Sequence, residues 1–328
     1  MARTKNSLAA IVLFIVFSAS SSILVQADEE EDFKTSTDLQ LQLSSLPEAK
    51  FRFIQSFIFP FLKGSGPLTK DNNITVLVSA DVSPISLAAT GELIWEPAAF
   101  FLLSGGGYTG SGWNMPLGYG IGINAPKEKS DTPHNTPDPP REAKIFGKAF
   151  DGLIWNTWGA ATLQFDLEAV IPGDWTHVLF QTRQEFRYSA YTRAAKSEAW
   201  VMENDDRNNL NGWNYYANYV LGYRMPLSPL LNTIAVMAEL NKSLYDTPGG
   251  AYWGENLGQW IFSTLFNFSV TSRFTTALVI QMRTRPNYGT SNFDNYDYYY
   301  QDLEIQNQGG NRRLLFYRAA VILNYKIY

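Results

Sequence analysis

Residues 213–225 read Trp213-Asn214-Tyr215-Tyr216-Ala217-Asn218-Tyr219-Val220-Leu221-Gly222-Tyr223-Arg224-Met225. Taken two apart, Trp213, Tyr215, Ala217, Tyr219, Leu221, Tyr223 and Met225 share one face, while Asn214, Tyr216, Asn218, Val220, Gly222 and Arg224 share the other. That period of two belongs to an extended strand whose faces meet unlike surroundings. A helix would scatter both classes around its axis.

The same phase continues on either side. Trp260, Phe262, Phe266, Phe268 and Val270 oppose Ser263, Asn267, Ser269 and Thr271. After a tight Ser272-Arg273 connection, Phe274, Leu278, Ile280 and Met282 oppose Gln281, Arg283 and Arg285. It also reads through 74–82, 85–95, 155–169, 178–191, 234–240 and 317–327, more weakly through 51–61, and is ambiguous over 98–123. Tight connections at Ser83-Pro84, 171–174, 226–229 and 272–273 alternate with long polar ones at 124–149, 192–212, 241–257 and 286–312.

Composition removes other classes. With 45% hydrophobic and 15% aromatic residues in 328, the chain is too apolar for a disordered one. The absence of cysteine excludes a disulfide scaffold, thiolate metal sites, a cysteine nucleophile and a lipid-modified cysteine. A net charge of -5 without a Lys and Arg cluster argues against a nucleic-acid partner. Arg3 and Lys5, the apolar run Leu8 to Phe17, and Val25-Gln26-Ala27 predict a secretory signal over residues 1–27, cleaved before Asp28. A membrane-anchoring helix is the alternative, but the run is short of the about 20 residues a bilayer needs.

An all-β, secreted chain of such strands has a physical solution in lipid. Every backbone N–H and C=O must be paired internally, so a sheet closes on itself with its apolar face to hydrocarbon. The expectation is a transmembrane antiparallel β-barrel of about 12 strands, with 10 and 14 left open. The strands fall at 50–62, 73–82, 85–95, 98–107, 113–123, 150–170, 176–191, 213–225, 230–242, 258–271, 274–287 and 312–328. With the C-terminus periplasmic, every tight turn then falls inside and every long loop outside. Residues 28–49 are left as a periplasmic extension or plug, and 50–328 as the barrel.

With these features the chain resembles a bacterial outer-membrane β-barrel, porin-like, over about residues 50–328. Gly212-Trp213-Asn214-Tyr215-Tyr216 and Thr162-Leu163-Gln164-Phe165-Asp166 are similar to stretches of spirochaete-type outer-membrane proteins. The resemblance implies the outer membrane with surface-exposed loops, outer-membrane lipid and the barrel-assembly machinery as partners, small polar solutes as cargo, and no cofactor. Such barrels usually end on a lipid-facing aromatic, whereas Tyr328 shares phase with Lys326 and Asn324, opposite the apolar line Ala319, Val321, Leu323, Tyr325 and Ile327.

Assigning the apolar phase to lipid turns Asp81, Glu92, Glu96, Asp166, Glu168, Glu185 and Glu239 inward, with Arg183, Arg187, Arg224, Arg283, Arg285, Arg318 and Lys326. Facing lipid, an Arg or Lys at the midplane would cost about 2 to 4 kcal/mol. These residues are therefore candidate pore lining, or else a salt-bridge network that fills the barrel. Arg183, Glu185 and Arg187 alternate on one strand, so Glu185 is placed to neutralise its neighbours. Trp95, Trp155, Trp175, Trp213, Trp253 and Trp260 near strand ends suit interfacial belts. The acidic runs at 203–208 and 294–300 lack an ordered calcium-ligand spacing and read as solvated loop. His134 sits in a proline-rich loop, His177 lies near a periplasmic turn and no Gly-x-Ser-x-Gly occurs, so an enzyme is not expected. Three functional classes follow: passive passage of small polar solutes, a surface adhesin or structural barrel with a plugged lumen, and a soluble secreted β-protein.

Overall fold

The computed structural model describes residues 33–46, 48–66, 68–115, 118–126, 143–146, 148–171, 173, 175, 177–195, 198, 200–203, 209–225, 230–245, 258–286 and 312–327. The signal expected over 1–27 lies outside them, as does Tyr328. Along the chain the strands are β1 (Lys34–Ser44), β2 (Glu48–Pro60), β3 (Asn73–Ser83), β4 (Ser86–Ala98), β5 (Phe101–Gly112), β6 (Asn114–Met115), β7 (Gly118–Tyr119), β8 (Ile121–Pro126) and β9 (Ala143–Phe146). They continue as β10 (Ile154–Asp166), β11 (Val178–Tyr191), β12 (Trp200–Met202), β13 (Gly212–Arg224), β14 (Leu231–Ser243), β15 (Gln259–Ser269), β16 (Phe274–Pro286) and β17 (Arg312–Lys326).

Twelve of them close a barrel in the order β1-β17-β16-β15-β14-β13-β11-β10-β5-β4-β3-β2, and every neighbouring pair is antiparallel. These strands run from 11 to 15 residues. At about 3.3 Å per residue and a tilt of about 45°, that length crosses roughly 30 Å of hydrocarbon. Among the described residues no helix is long and apolar enough to cross a membrane.

The period-two pattern becomes two faces. Outward lie Phe53, Val78, Leu93, Leu163, Phe180, Phe186, Leu221, Val236, Phe262, Ile280 and Phe316, all exposed. An apolar surface that encircles the molecule cannot stay in water, so hydrocarbon is its solvent. Inward lie Gln40, Arg52, Asp81, Glu92, Gln181, Glu185, Asn218, Glu239, Gln281 and Arg318, all buried. An apolar inner patch of Val220, Ala235, Met237, Leu265, Ala277, Val279 and Ile322 fills part of one wall. Aromatic rings gather at both strand ends: Trp155, Tyr188 and Trp213 at one, with centroids 5.4 and 5.5 Å apart, and Phe61 against Trp95 at the other, 6.4 Å apart.

Three expectations need correction. Within residues 28–49, Lys34–Ser44 is not an extension or plug but the strand that closes the barrel, pairing with β2 on one side and β17 on the other. Leu39, Leu41 and Leu43 continue the outward line, and Gln40 and Gln42 the inward one. Conversely, 113–123 is not a barrel strand. It breaks into β6, β7 and β8, and β8 joins β9 and β12 in a separate three-stranded sheet. The break has a steric cause at Gly120, where a Cβ would fall 2.0 Å from the Ile85 carbonyl oxygen and 2.5 Å from the Trp113 backbone. One strand gained and one lost leave the count at twelve.

The exchange also changes parity. β1 starts, and β17 ends, at what we term the C-terminal end. The connections there are 61–72, 99–100, 167–177, 225–230 and 270–273. The long connections 113–153, 192–211, 244–258 and 287–311 leave and rejoin the barrel at the opposite end, but so do the tight turns 45–47 and 84–85. Ser83-Pro84 therefore shares an end with the long loops rather than lying across from them.

Candidate functional site

The lumen carries the chemistry, and β11 supplies its central row. Glu185, only 4% exposed, accepts through Oε2 from Arg183 Nε at 3.1 Å and Nη2 at 2.9 Å, and through Oε1 from Arg187 Nε at 2.8 Å. Arg183 Nη2 also reaches across β10 and β5 to Glu92 Oε1 on β4, at 3.0 Å. Two cations and two anions thus form a neutral ladder, with buried charges compensated as their desolvation demands.

The run Gly105-Gly106-Gly107 makes room for it. Gly106 is the direct partner of both Glu92 and Trp158, and a Cβ there would meet Trp158 Cζ2 at 2.4 Å. The bare glycine lets the indole lie across β5, where its Nε1 donates to Glu92 Oε1 at 3.4 Å. The Arg187 guanidinium is then 5.2 Å from the Trp158 ring centroid and 4.7 Å from that of Tyr216, a cation–π arrangement on both sides.

On the facing wall, Arg52 holds Asp81 with two parallel hydrogen bonds, the two being direct partners on β2 and β3. Arg318 donates from Nε to Gln281 Oε1 at 2.6 Å and from Nη1 to Glu48 Oε2 at 2.8 Å. The register between β16 and β17 shifts after Gln281, and this bulge turns the consecutive residues Tyr317 and Arg318 both into the barrel. Arg283 lies over the Tyr317 ring at 4.2 Å.

At the end opposite the C-terminus, β12 and β8 fold into the barrel mouth. Ile121, Trp200 and Met202 pack with Ala88, Tyr108, Ile154, Trp158 and Tyr191 from the barrel wall. The Tyr108 hydroxyl is 3.3 Å from Met202 Sδ. Beyond β12, Glu203 adopts φ 53, the left-handed region that a side chain rarely takes. It is buried, with Oε2 receiving Lys50 Nζ at 2.8 Å, Oε1 receiving the Ser86 hydroxyl, and its own N–H donating to Gly120 O at 2.9 Å. Its expected place in a solvated acidic loop is corrected: Glu203 is an interior residue.

Of the other candidate lining residues, Glu239 is buried on β14, and Arg224 lies at the C-terminal end of β13, away from the ladder, since Arg183 and Arg187 face Asn218 and Asn214 across β13. The Arg285 backbone pairs with Arg313, and its side chain lies outside the description. Glu168 is not on the barrel wall. It sits in a short 3-10 helix, Leu167–Ala169, whose first turn Asp166 caps by accepting from Glu168 N at 3.1 Å. Asp166, Glu168 and His177 bring one ligand atom each within 4.8 Å of one another at this turn. His177 Nδ1 is 3.0 Å from Glu168 Oε2 but poorly aligned for a hydrogen bond. Sequence reasoning missed Lys50, Arg52, Glu48 and Trp158 as interior residues. Arg52 and Lys50 share parity with the inward-facing Ile54 and Ser56, a signal visible only once β1 is recognised as their neighbour.

No family model matches the chain, and no curated protein matches it. Among solved structures it is similar to the KdgM porin (8% identity, TM-score 0.38, 89% of this chain and 99% of that one) and the NanC porin (8%, 0.41, 88% and 98%). The β domain of the Bordetella autotransporter BrkA also aligns, at 9% identity and TM-score 0.37, over 91% of this chain and all of that one. Likeness at this level leaves function to be argued from this chain's own geometry, and nothing supports the narrower spirochaete resemblance.

Proposed function

We propose that this protein lies in the bacterial outer membrane, reached through the secretory signal at 1–27 and the barrel-assembly machinery, and that small polar solutes pass passively through its charged lumen. The long loops then face the cell exterior. The observation that carries this reading is the set of buried inner polar atoms with no protein partner: Gln40 Nε2, Thr90 Oγ1, Asn218 Oδ1, Glu239 Oε2 and Gln259 Oε1. A dry, self-filled interior would satisfy such atoms, because each one left bare costs roughly 1–3 kcal/mol. Atoms of this kind on five strands of one lumen call for water along the path, and a hydrated, charged path is what a small polar solute needs.

A second reading, a structural barrel or adhesin with a closed lumen, draws on the inward-folded β8 and β12 and on the Glu203 contacts. Planar-bilayer recording separates the two. The purified protein is expected to give discrete conductance steps in KCl, smaller than those of a wide 16-strand porin. A folded, inserted protein that never conducts, even after removal of the mouth segment, would sink the passage reading.

A further inference from the structure

Inside the barrel, ion pairs compensate Lys50, Arg52, Asp81, Glu92, Arg183, Glu185, Arg187, Glu203 and Arg318. Glu239 differs. It is 7% exposed, and its Oε2 has no hydrogen-bond partner. Arg318, whose charge acts on it from a distance, already gives its guanidinium to Gln281 and Glu48.

Bare oxygens occupy the neighbouring inner-face positions of the register. Asn218 is its direct partner on β13, and Asn241 follows two positions along β14 on the same inner face. Gln259 is the direct partner of Asn241 on β15. Asn218 Oδ1, Asn241 Oδ1 and Gln259 Oε1 are all buried without a partner, and Asn218 and Gln259 are 5% and 8% exposed. The amide nitrogen of Asn218 is turned away, onto Met237 Sδ at 3.4 Å. Ile261, facing Glu239 across β15, and Met237 flank the group with apolar surface.

We propose that these four side chains form a subsite in the lumen for a singly charged cation, a monovalent metal ion or a primary ammonium group. Water would satisfy the amide oxygens, but the buried carboxyl would then have to keep its proton to avoid an uncompensated charge, whereas a bound cation lets it stay ionised. One carboxylate matches one positive charge, and a divalent ion would leave a buried excess. Oxygen acceptors are the donor set a hard monovalent ion prefers, and they also match the three N–H donors of an ammonium group. The inference rests on the passage reading only for its consequence, that traffic favours cations.

Two measurements on the full-length protein and on Glu239→Gln test it. The first is the thermal unfolding midpoint in detergent with methylammonium, potassium or tetramethylammonium chloride at equal concentration. Methylammonium or potassium is expected to raise the wild-type midpoint by about 2 to 4 °C over tetramethylammonium, whose methyls block hydrogen bonding and close approach, and to leave Glu239→Gln unmoved. A shift with both ions marks a metal-ion site, and one with methylammonium alone marks an amine site. Should Glu239→Gln not fold, Gln259→Met serves, with a reduced shift expected. Equal shifts in wild type and variant, or none in either, overturn the subsite. The second measurement is the reversal potential in a KCl gradient, where Glu239→Gln is expected to lose cation preference. Conductance without a midpoint difference ends the subsite and keeps the passage reading. A midpoint difference without conductance does the reverse.

Discussion

Glu203 Oε2 lies 2.8 Å from Lys50 Nζ, a residue 153 positions earlier in the chain. The contact ties the segment after β12 to the second barrel strand at a point where the neighbouring wall is low, because β1–β2 and β3–β4 are joined by tight turns at that end. The ion pair, the Ser86 hydroxyl and the packing of Trp200 and Met202 hold this segment in the mouth against the positive φ of Glu203.

Replacing Glu203 with Gln keeps the shape but removes the charge that Lys50 needs. A buried cation left without its partner costs about 3 kcal/mol or more, so the segment is expected to leave the mouth rather than keep Lys50 uncompensated. Single-channel conductance of Glu203→Gln should rise several-fold over wild type, and Lys50→Met should raise it too. Unchanged conductance in both variants would mean that this segment does not restrict the path.

Parity gives a second test, since the chain has no native cysteine to interfere. Cysteines at Ser45, Pro84 and Arg193 lie at the same end and are expected to react with a membrane-impermeant maleimide on intact cells. Cysteines at Asp71, Ala99 and Arg273 lie at the other end and should react only after the outer membrane is opened. Labelling of Asp71→Cys but not Pro84→Cys on intact cells reverses the orientation.

Much of this fold was legible because a lipid-facing sheet writes its two faces into sequence at period two, and β13, β15 and β16 did so without interruption. What escaped has particular causes. The Leu39-Gln40-Leu41-Gln42-Leu43 alternation of β1 is as regular as any other, but it spans only five residues and closely follows the acidic run at 28–32. Residues 113–123 carried aromatics and glycines at strand-like spacing, yet Gly120 is there for backbone approach to Ile85, a long-range contact without local signature. Inward direction was readable for Arg183, Glu185, Arg187 and Glu92. The pairing of Glu185 with its two neighbours was readable too, but that of Glu92 with Arg183 was not, because they meet across two intervening strands.

Gly106→Ala tests how the ladder is supported. The added methyl would sit 2.4 Å from Trp158 Cζ2 and 2.6 Å from the Gly91 carbonyl oxygen, so the indole must move off Glu92 and Arg187 and the β4 backbone must give as well. Overpacking of this kind typically costs 1–3 kcal/mol. The urea midpoint, followed by the loss of the heat-modifiable folded band, should fall for Gly106→Ala, and Trp158→Phe in the same chain should restore part of it. Independent, additive losses would show that the two residues do not share the space.

The final prediction concerns selectivity. Reversing Arg183 and Arg187 to Glu would crowd carboxylates around Glu92 and Glu185, so neutral replacements are the cleaner probe. Arg183→Gln with Arg187→Gln removes two positive charges and keeps amide N–H donors, at the former arginine positions, for both glutamates to accept from. The unopposed negative charge focuses its field on ions in a narrow lumen, so the reversal potential is expected to move towards cation preference. The shift should be larger at 0.01 M salt, where the screening length is about 30 Å, than at 1 M, where it is about 3 Å. Phe266 and Phe268 share the outward phase of β15, and placing Glu at both is expected to prevent folding, since those positions meet hydrocarbon. If the double Gln variant folds and conducts with unmoved selectivity at both salts, the ladder lies off the path, and its four charges serve to tie β4 to β11 across the barrel.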